Sequence, residues 1–160
     1  MSFSRPLAGV FAVFLFSTVR AGAADAGPAW LDDFHQALSQ AKAQHRQVLM
    51  DFTGSDWCPV CIQMEKEVFN TPTFQQYAAG NLVLMRVDFP VSKTLPPQVA
   101  AQNDKLKDEY GIGDFLPAYV LVDKSGKVLE RYIGGIPGGP SVFIDFLHGK
   151  VPPPIPGSQG

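Results

Sequence analysis

Asp51-Phe52-Thr53-Gly54-Ser55-Asp56-Trp57-Cys58-Pro59-Val60-Cys61 is the stretch that decides how this chain folds. It begins inside the apolar run Val48-Leu49-Met50-Asp51-Phe52, whose length and composition predict a strand buried on both faces. Thr53-Gly54-Ser55-Asp56 is loop chemistry. A helical stretch follows from about Cys58 to Phe69, with Cys61, Met64 and Val68 along one stripe. The chain's 2 cysteines therefore fall where a buried strand passes through a loop into a helix. At a helix N-terminus, Cys58 meets unpaired backbone N–H groups and the positive end of the helix dipole, which favour thiolate over thiol. Pro59 in the first turn costs little, because the N–H it lacks would have no intrahelical partner. Cys61 lies one turn deeper on the same side, close enough to close a small disulfide. An exposed nucleophile of low pKa backed by a shielded second thiol is what dithiol–disulfide exchange requires.

Composition agrees with a single folded domain and excludes several other classes. The chain has 160 residues, 46% of them hydrophobic, with 12 Phe, which is enough for a core and does not fit intrinsic disorder. Its 13 Lys and Arg against 15 Asp and Glu, with no basic block, do not suit a nucleic-acid binder held by phosphate contacts. Two cysteines cannot build a disulfide-rich scaffold or a four-thiolate zinc site.

Residues 1–23 read as an export signal rather than as part of the fold. Arg5 supplies a positive start, Leu7 to Val19 is almost wholly apolar, and Ala21-Gly22-Ala23 offers the small residues a signal peptidase accepts. Cleavage would remove two of the 13 basic residues and none of the 15 acidic ones, moving the net charge from −2 to −4. An uncleaved anchor is the other reading, because Arg20 lies so close to the cut. Export would place the protein in the periplasm or outside the cell, where disulfides persist.

Outward from the cysteines, residues 24–150 read as the folded domain. Trp30, Phe34, Leu38 and Ala41 fall near the helical period and predict a helix over 29–45. Pro72 opens a short helix to Ala79, closed by Gly80-Asn81, and Leu82 to Phe89 is a second buried strand. Val99, Asn103, Leu106 and Tyr110 mark a helix ending at Gly111. Ala118 to Val122 and Lys127 to Ile133 flank Asp123-Lys124-Ser125-Gly126 as a hairpin. Pro140 opens a last helix ending near Gly149, and 151–160 is a proline-rich, uncharged and disordered tail. The order predicts an α/β fold: two parallel strands, an antiparallel hairpin at the edge, and helices on both faces of one mixed sheet.

The stretch at 51–61 resembles the strand–Trp-Cys-x-x-Cys–helix site of the thioredoxin superfamily, with one extra residue between the strand Asp51 and Trp57. Phe115-Leu116-Pro117-Ala118 resembles that family's cis-proline loop, and Gly134-Gly135 its glycine pair after the last strand. The resemblance covers 47–149 and implies a thioredoxin-like fold and a thiol–disulfide oxidoreductase. Cys58 would be the attacking nucleophile, Cys61 the resolving thiol, and Asp51 the buried carboxylate that takes a proton from Cys61. Trp57, Pro59, Leu116, Pro117 and Gly134 would face the substrate, with Pro117 excluding metal from the cysteines. Leu116 would pair through its backbone with an extended peptide. No organic cofactor or metal is implied, only protein thiol or disulfide substrates and a membrane or soluble redox partner.

Two departures from the family pattern bear on mechanism. The register read from the sequence puts Leu84 beside Asp51, where the family's thioredoxins often carry lysine. Pro59-Val60 between the cysteines provides no His to stabilise a thiolate, which points to a reductant or isomerase rather than a strong oxidant.

Other readings remain open from the residues alone. The pair could be a permanent disulfide in a non-enzymatic binding module. His35, His45 or His148 could complete a metal site only by chance of folding. Trp57 could be a core aromatic, and Asp51 could tip toward solvent at the strand end. Asp56 has no place in the mechanism, since a carboxylate beside Cys58 would oppose its ionisation.

Overall fold

The computed structural model describes residues 27–150. The export signal read at 1–23 and the tail at 151–160 lie outside the described residues.

Apolar runs bounded by loop residues form the strands, as their composition dictates. Five of them, β1 (Trp30–Leu31), β2 (Gln47–Thr53), β3 (Leu82–Asp88), β4 (Ala118–Val122) and β5 (Val128–Ile133), make one sheet in the order β1-β3-β2-β4-β5. β1 and β2 each run parallel to β3, β4 is antiparallel to β2, and β5 is antiparallel to β4. The hairpin between β4 and β5 is closed by the Asp123 carboxylate, which accepts from the backbone of Ser125 at 2.7 Å and Lys127 at 3.1 Å.

Successive side chains of a strand point to opposite faces, and the sheet uses this to build two different cores. Val48, Met50 and Phe52 join Val83, Met85, Val87, Val120 and Val122 beneath α1 (Phe34–Gln44) and α4 (Pro97–Glu109). Leu49, Leu82, Leu84, Tyr119 and Leu121 pack on the other face against α2 (Pro59–Met64), α3 (Pro72–Asn81) and α5 (Gly139–Leu147). The expected α/β architecture, a mixed sheet with helices on both faces, is the one observed.

Three local expectations are corrected. Trp30 does not begin a helix: it lies in β1, paired with Leu84 on β3, and Asp33 caps α1 by accepting from Gln36 N at 2.6 Å. The helix carrying the cysteines does not run unbroken to Phe69. After Met64 it widens into a π turn, Glu65–Phe69, in which Asn70 N donates to Glu65 O at 2.9 Å. The residue opposite Asp51 on β3 is Arg86, not Leu84, which pairs with Leu49. The strand is apolar on both faces, so its hydrophobic pattern carried no register.

Candidate active site

The turn from β2 into α2 places the cysteines. Cys58 is the N-cap of α2, Pro59 occupies the first turn, and the backbone N–H of Cys58 donates to Gly54 O at 2.9 Å. The Cys58 sulfur in turn accepts from the N–H of Cys61 at 3.2 Å, so an orphan donor of the helix end is directed at the sulfur. The two residues are joined as a disulfide with a Cα–Cα distance of 5.2 Å. The expected contrast between an exposed Cys58 and a shielded Cys61 is absent in this oxidised state, because each is 4% exposed. The pair is recessed while the residues beside it in the chain stand out from the surface: Trp57, Val60 and Ile62 are all exposed.

Asp51 does not tip toward solvent. It is 3% exposed, and burial is the largest cause pushing its carboxyl up to about 7. The Arg86 guanidinium opposes that shift, while the Glu65 and Asp88 carboxylates add to it. Arg86 is itself held between two other groups. It donates to Glu65 at 2.5 Å and lies over the Trp30 ring, 4.6 Å from the centroid. Register sets Arg86, Asp51 and Tyr119 side by side across three strands. The Tyr119 hydroxyl is buried and has no hydrogen-bond partner among the described residues, nor does Arg86 Nε. A small cavity of about 160 Å³ lined by Cys61, Thr53, Ser55, Ile62, Glu65 and Arg86 joins the inner cysteine to the ion pair.

A larger groove of about 400 Å³ runs along the other side of α2. Leu116, Pro117 and Gly134 line it together with Val60 and Met64, whose positions in α2 flank that of Cys61. The Leu116–Pro117 bond is cis, and the Pro117 carbonyl accepts from Gly134 N at 2.7 Å. Gly135 permits the close approach of this loop to α2: a Cβ there would lie 2.6 Å from Val60 Cγ1.

Of the residues singled out from the sequence, Leu116, Pro117 and Gly134 share the groove, whereas Trp57 and Pro59 do not line it. Pro59 is exposed at the head of α2. Trp57 is 47% exposed with its indole N–H donating to Phe89 O at 2.7 Å, a rim residue rather than a core aromatic. His35, His45 and His148 are exposed, and among the described residues no group of three or more His, Cys, Asp or Glu is placed to hold a metal ion. Sequence reading missed Glu65 and Arg86. The signal that could have found them is the lone cation of a strand whose other residues before Asp88 are apolar, which must find an anion when the strand is buried.

Residues 34–147 match the model of the thioredoxin-like domain family. The disulfide bond reductase DsbH of Chlamydia pneumoniae is 34% identical over 113 residues, spanning 71% of this chain and 67% of that protein. A solved structure of a DsbH oxidoreductase superposes with a TM-score of 0.70 at 32% identity, covering 78% of this chain and 84% of that one. The thiol:disulfide interchange protein DsbD of Klebsiella pneumoniae is 43% identical over 68 residues, 42% of this chain but 10% of that much longer protein. With a paired Cys-x-x-Cys at the head of a helix and this match along most of its length, the chain belongs to the thioredoxin-like family and is a thiol–disulfide oxidoreductase.

Proposed function

We propose that the chain is an exported reductant or isomerase of protein disulfides that works through Cys58 and Cys61, with Asp51 as proton acceptor. The observation that carries this reading is the position of the pair: Cys58 caps a helix, Cys61 lies one turn in, and a carboxylate with a pKa of about 7 is buried on the adjoining strand.

In the reduced protein the helix N-terminus stabilises the Cys58 thiolate, which attacks one sulfur of a substrate disulfide. The first substrate thiolate leaves and a mixed disulfide forms on Cys58. Asp51 then takes the Cys61 proton, and the Cys61 thiolate attacks Cys58 Sγ. The second substrate thiolate is expelled and the Cys58–Cys61 disulfide closes, so two electrons have passed from protein to substrate. A membrane or soluble redox partner reloads the pair. The reverse sequence oxidises a dithiol, but Pro59-Val60 supplies no His to hold the thiolate as a strong oxidant requires, and the similar Chlamydia protein carries the name of a reductase.

The groove beside α2 suits an extended peptide. Such a segment would pair with the Leu116 backbone and rest on Pro117 and Gly134 while its disulfide reaches Cys58, with Trp57 and Pro59 at the rim. No metal or organic cofactor enters these steps. Export is supported by the charged, apolar and small-residue order of 1–23, with 24–150 as the working domain.

Trapping tests the assignment. With insulin as substrate, Cys61→Ser is expected to accumulate a covalent adduct through Cys58 that thiols release, and Cys58→Ser is expected to form none. Retained insulin reduction by Cys58→Ser would overturn the mechanism, and a parent protein that neither reduces insulin nor opens its disulfide would leave a binding module with a closed disulfide.

A further inference from the structure

Asp56 stands two residues before the nucleophile, exposed, where its charge opposes the thiolate that exchange needs. Its surroundings give it another task. The Asp56 carboxylate accepts from Val91 N at 3.1 and 3.2 Å, from Ser92 N at 2.6 Å, and from the Ser92 hydroxyl. Those bonds hold the carboxyl down at about 2, so it stays ionised and engaged across the working pH range. Val91 and Ser92 belong to the segment that leaves β3, on the Trp57 side of the cysteines.

That segment is fixed at its near end by other groups. Phe89 N donates to Thr53 O at 2.8 Å, and Asp88 accepts from Ser55 N at 3.0 Å and Ser55 Oγ at 2.7 Å. Trp57 reaches the same segment through its indole N–H on Phe89 O, and its ring lies so close over Gly54 that a Cβ there would come within 2.5 Å of it. At the far end, Asp56 is the one side chain among the described residues that holds Val91 and Ser92. Val91 is 75% exposed and Trp57 47% exposed, so the fastened segment and the turn that leads into Cys58 each present an apolar side chain to solvent.

We infer that Asp56 is a positioning residue: it fastens the 89–92 segment to the active-site turn, so that Trp57 and Val91 form one fixed wall against which a protein disulfide is presented to Cys58. The inference rests on Cys58 being the attacking thiol. Small disulfides need no wall, whereas a folded substrate must be oriented, so the wall acts on the KM for protein rather than on the chemistry of the thiolate.

The experiment measures, for the full chain carrying Trp30→Phe, the KM for insulin and the rate of the reduced protein with hydroxyethyl disulfide. Trp57 is then the sole tryptophan, since the chain has 2, and acrylamide quenching reports its exposure. Asp56→Ala is expected to raise the insulin KM by about fivefold to tenfold relative to the small-disulfide rate, the effect of losing one to two net hydrogen bonds. It is also expected to raise quenching of Trp57. Asp56→Asn keeps an acceptor for the two backbone N–H groups without the charge, and is expected to restore most of both readouts. Ser92→Ala, which removes one of the bonds, is expected to fall between Asp56→Ala and the parent.

If Asp56→Ala leaves both the KM ratio and the quenching unchanged, or if Asp56→Asn matches Asp56→Ala in both, the residue acts through charge or not at all and the inference is overturned. A parent protein whose Cys58 does not react with hydroxyethyl disulfide overturns this inference and the proposed function together. A reactive parent with an unaffected Asp56→Ala overturns the inference alone.

Discussion

The two faces of β2 are made from alternate residues of one seven-residue strand, yet they are built for different ends. Val48, Met50 and Phe52 enter an apolar core closed by Ala37 and Ala41 of α1 and Leu106 of α4. Leu49, Asp51 and Thr53 enter the core on the cysteine side. There, apolar packing around Phe69, Phe74 and Phe143 gives way toward the end of the strand to Arg86, Asp51 and Tyr119. One face supplies the burial that holds the sheet together. The other accepts a buried carboxylate, a hydroxyl with no partner among the described residues and an ion pair, and in the proposed mechanism that carboxylate takes the Cys61 proton. Stability and reactivity are thus divided between opposite sides of the same strand.

The contrast can be broken most forcefully on the apolar face. Phe52→Ala is expected to cost about 3–5 kcal/mol of unfolding free energy, because a fully buried ring leaves a cavity in a closely packed layer. Urea unfolding measures the loss, while the Cys58–Cys61 potential of the folded fraction is expected to stay where it was. A shifted potential would mean that the two faces are not independent.

Asp51→Asn should act in the opposite direction. Its folded pKa of about 7 lies above the ordinary value of 3.8, so between those values the folded state holds a proton that the unfolded chain releases. The Asp51 contribution to wild-type stability therefore falls as pH rises from about 4 to 7 and levels off above that range. The variant lacks this slope and is expected to be more stable at pH 8 by up to about 4 kcal/mol, with little difference near pH 4. It should also resolve mixed disulfides more slowly and lose the rise in rate through pH 7. Denaturation at the two pH values and single-turnover release of substrate thiol check both statements.

The smallest effect sharpens the comparison most finely. Tyr119→Phe removes a buried hydroxyl that has no hydrogen-bond partner among the described residues, and is expected to stabilise the protein by about 1 kcal/mol. A loss of stability instead would show that the hydroxyl is satisfied and that the polar row carries no such cost.

Much of this arrangement was legible in the residues. β2, β3 and β4 announce themselves as apolar runs, and Cys58 with Pro59 after a loop marks the start of α2. Of the five residues that the family resemblance sets against substrate, Leu116, Pro117 and Gly134 share one groove, while Trp57 and Pro59 do not line it. What escaped had no local signal. β1 is only two residues long, and Trp30 continues the helical spacing of Phe34, Leu38 and Ala41, so period alone could not exclude it from the helix. The register of β3 was hidden because both its faces are buried, and only the charge of Arg86 could have found Asp51. Asp56 looked like a hindrance to Cys58 because its partners, Val91 and Ser92, stand 35 and 36 residues further along the chain.

The most direct measurement is the reduction potential of the Cys58–Cys61 pair, by equilibration with thioredoxin or glutathione couples. The account predicts a pair that cycles reversibly at a potential between the thioredoxin mark of about −270 mV and the isomerase mark of about −180 mV, below the oxidising one of about −120 mV. A disulfide that will not exchange with either couple would contradict the account, as would a potential close to the oxidising mark.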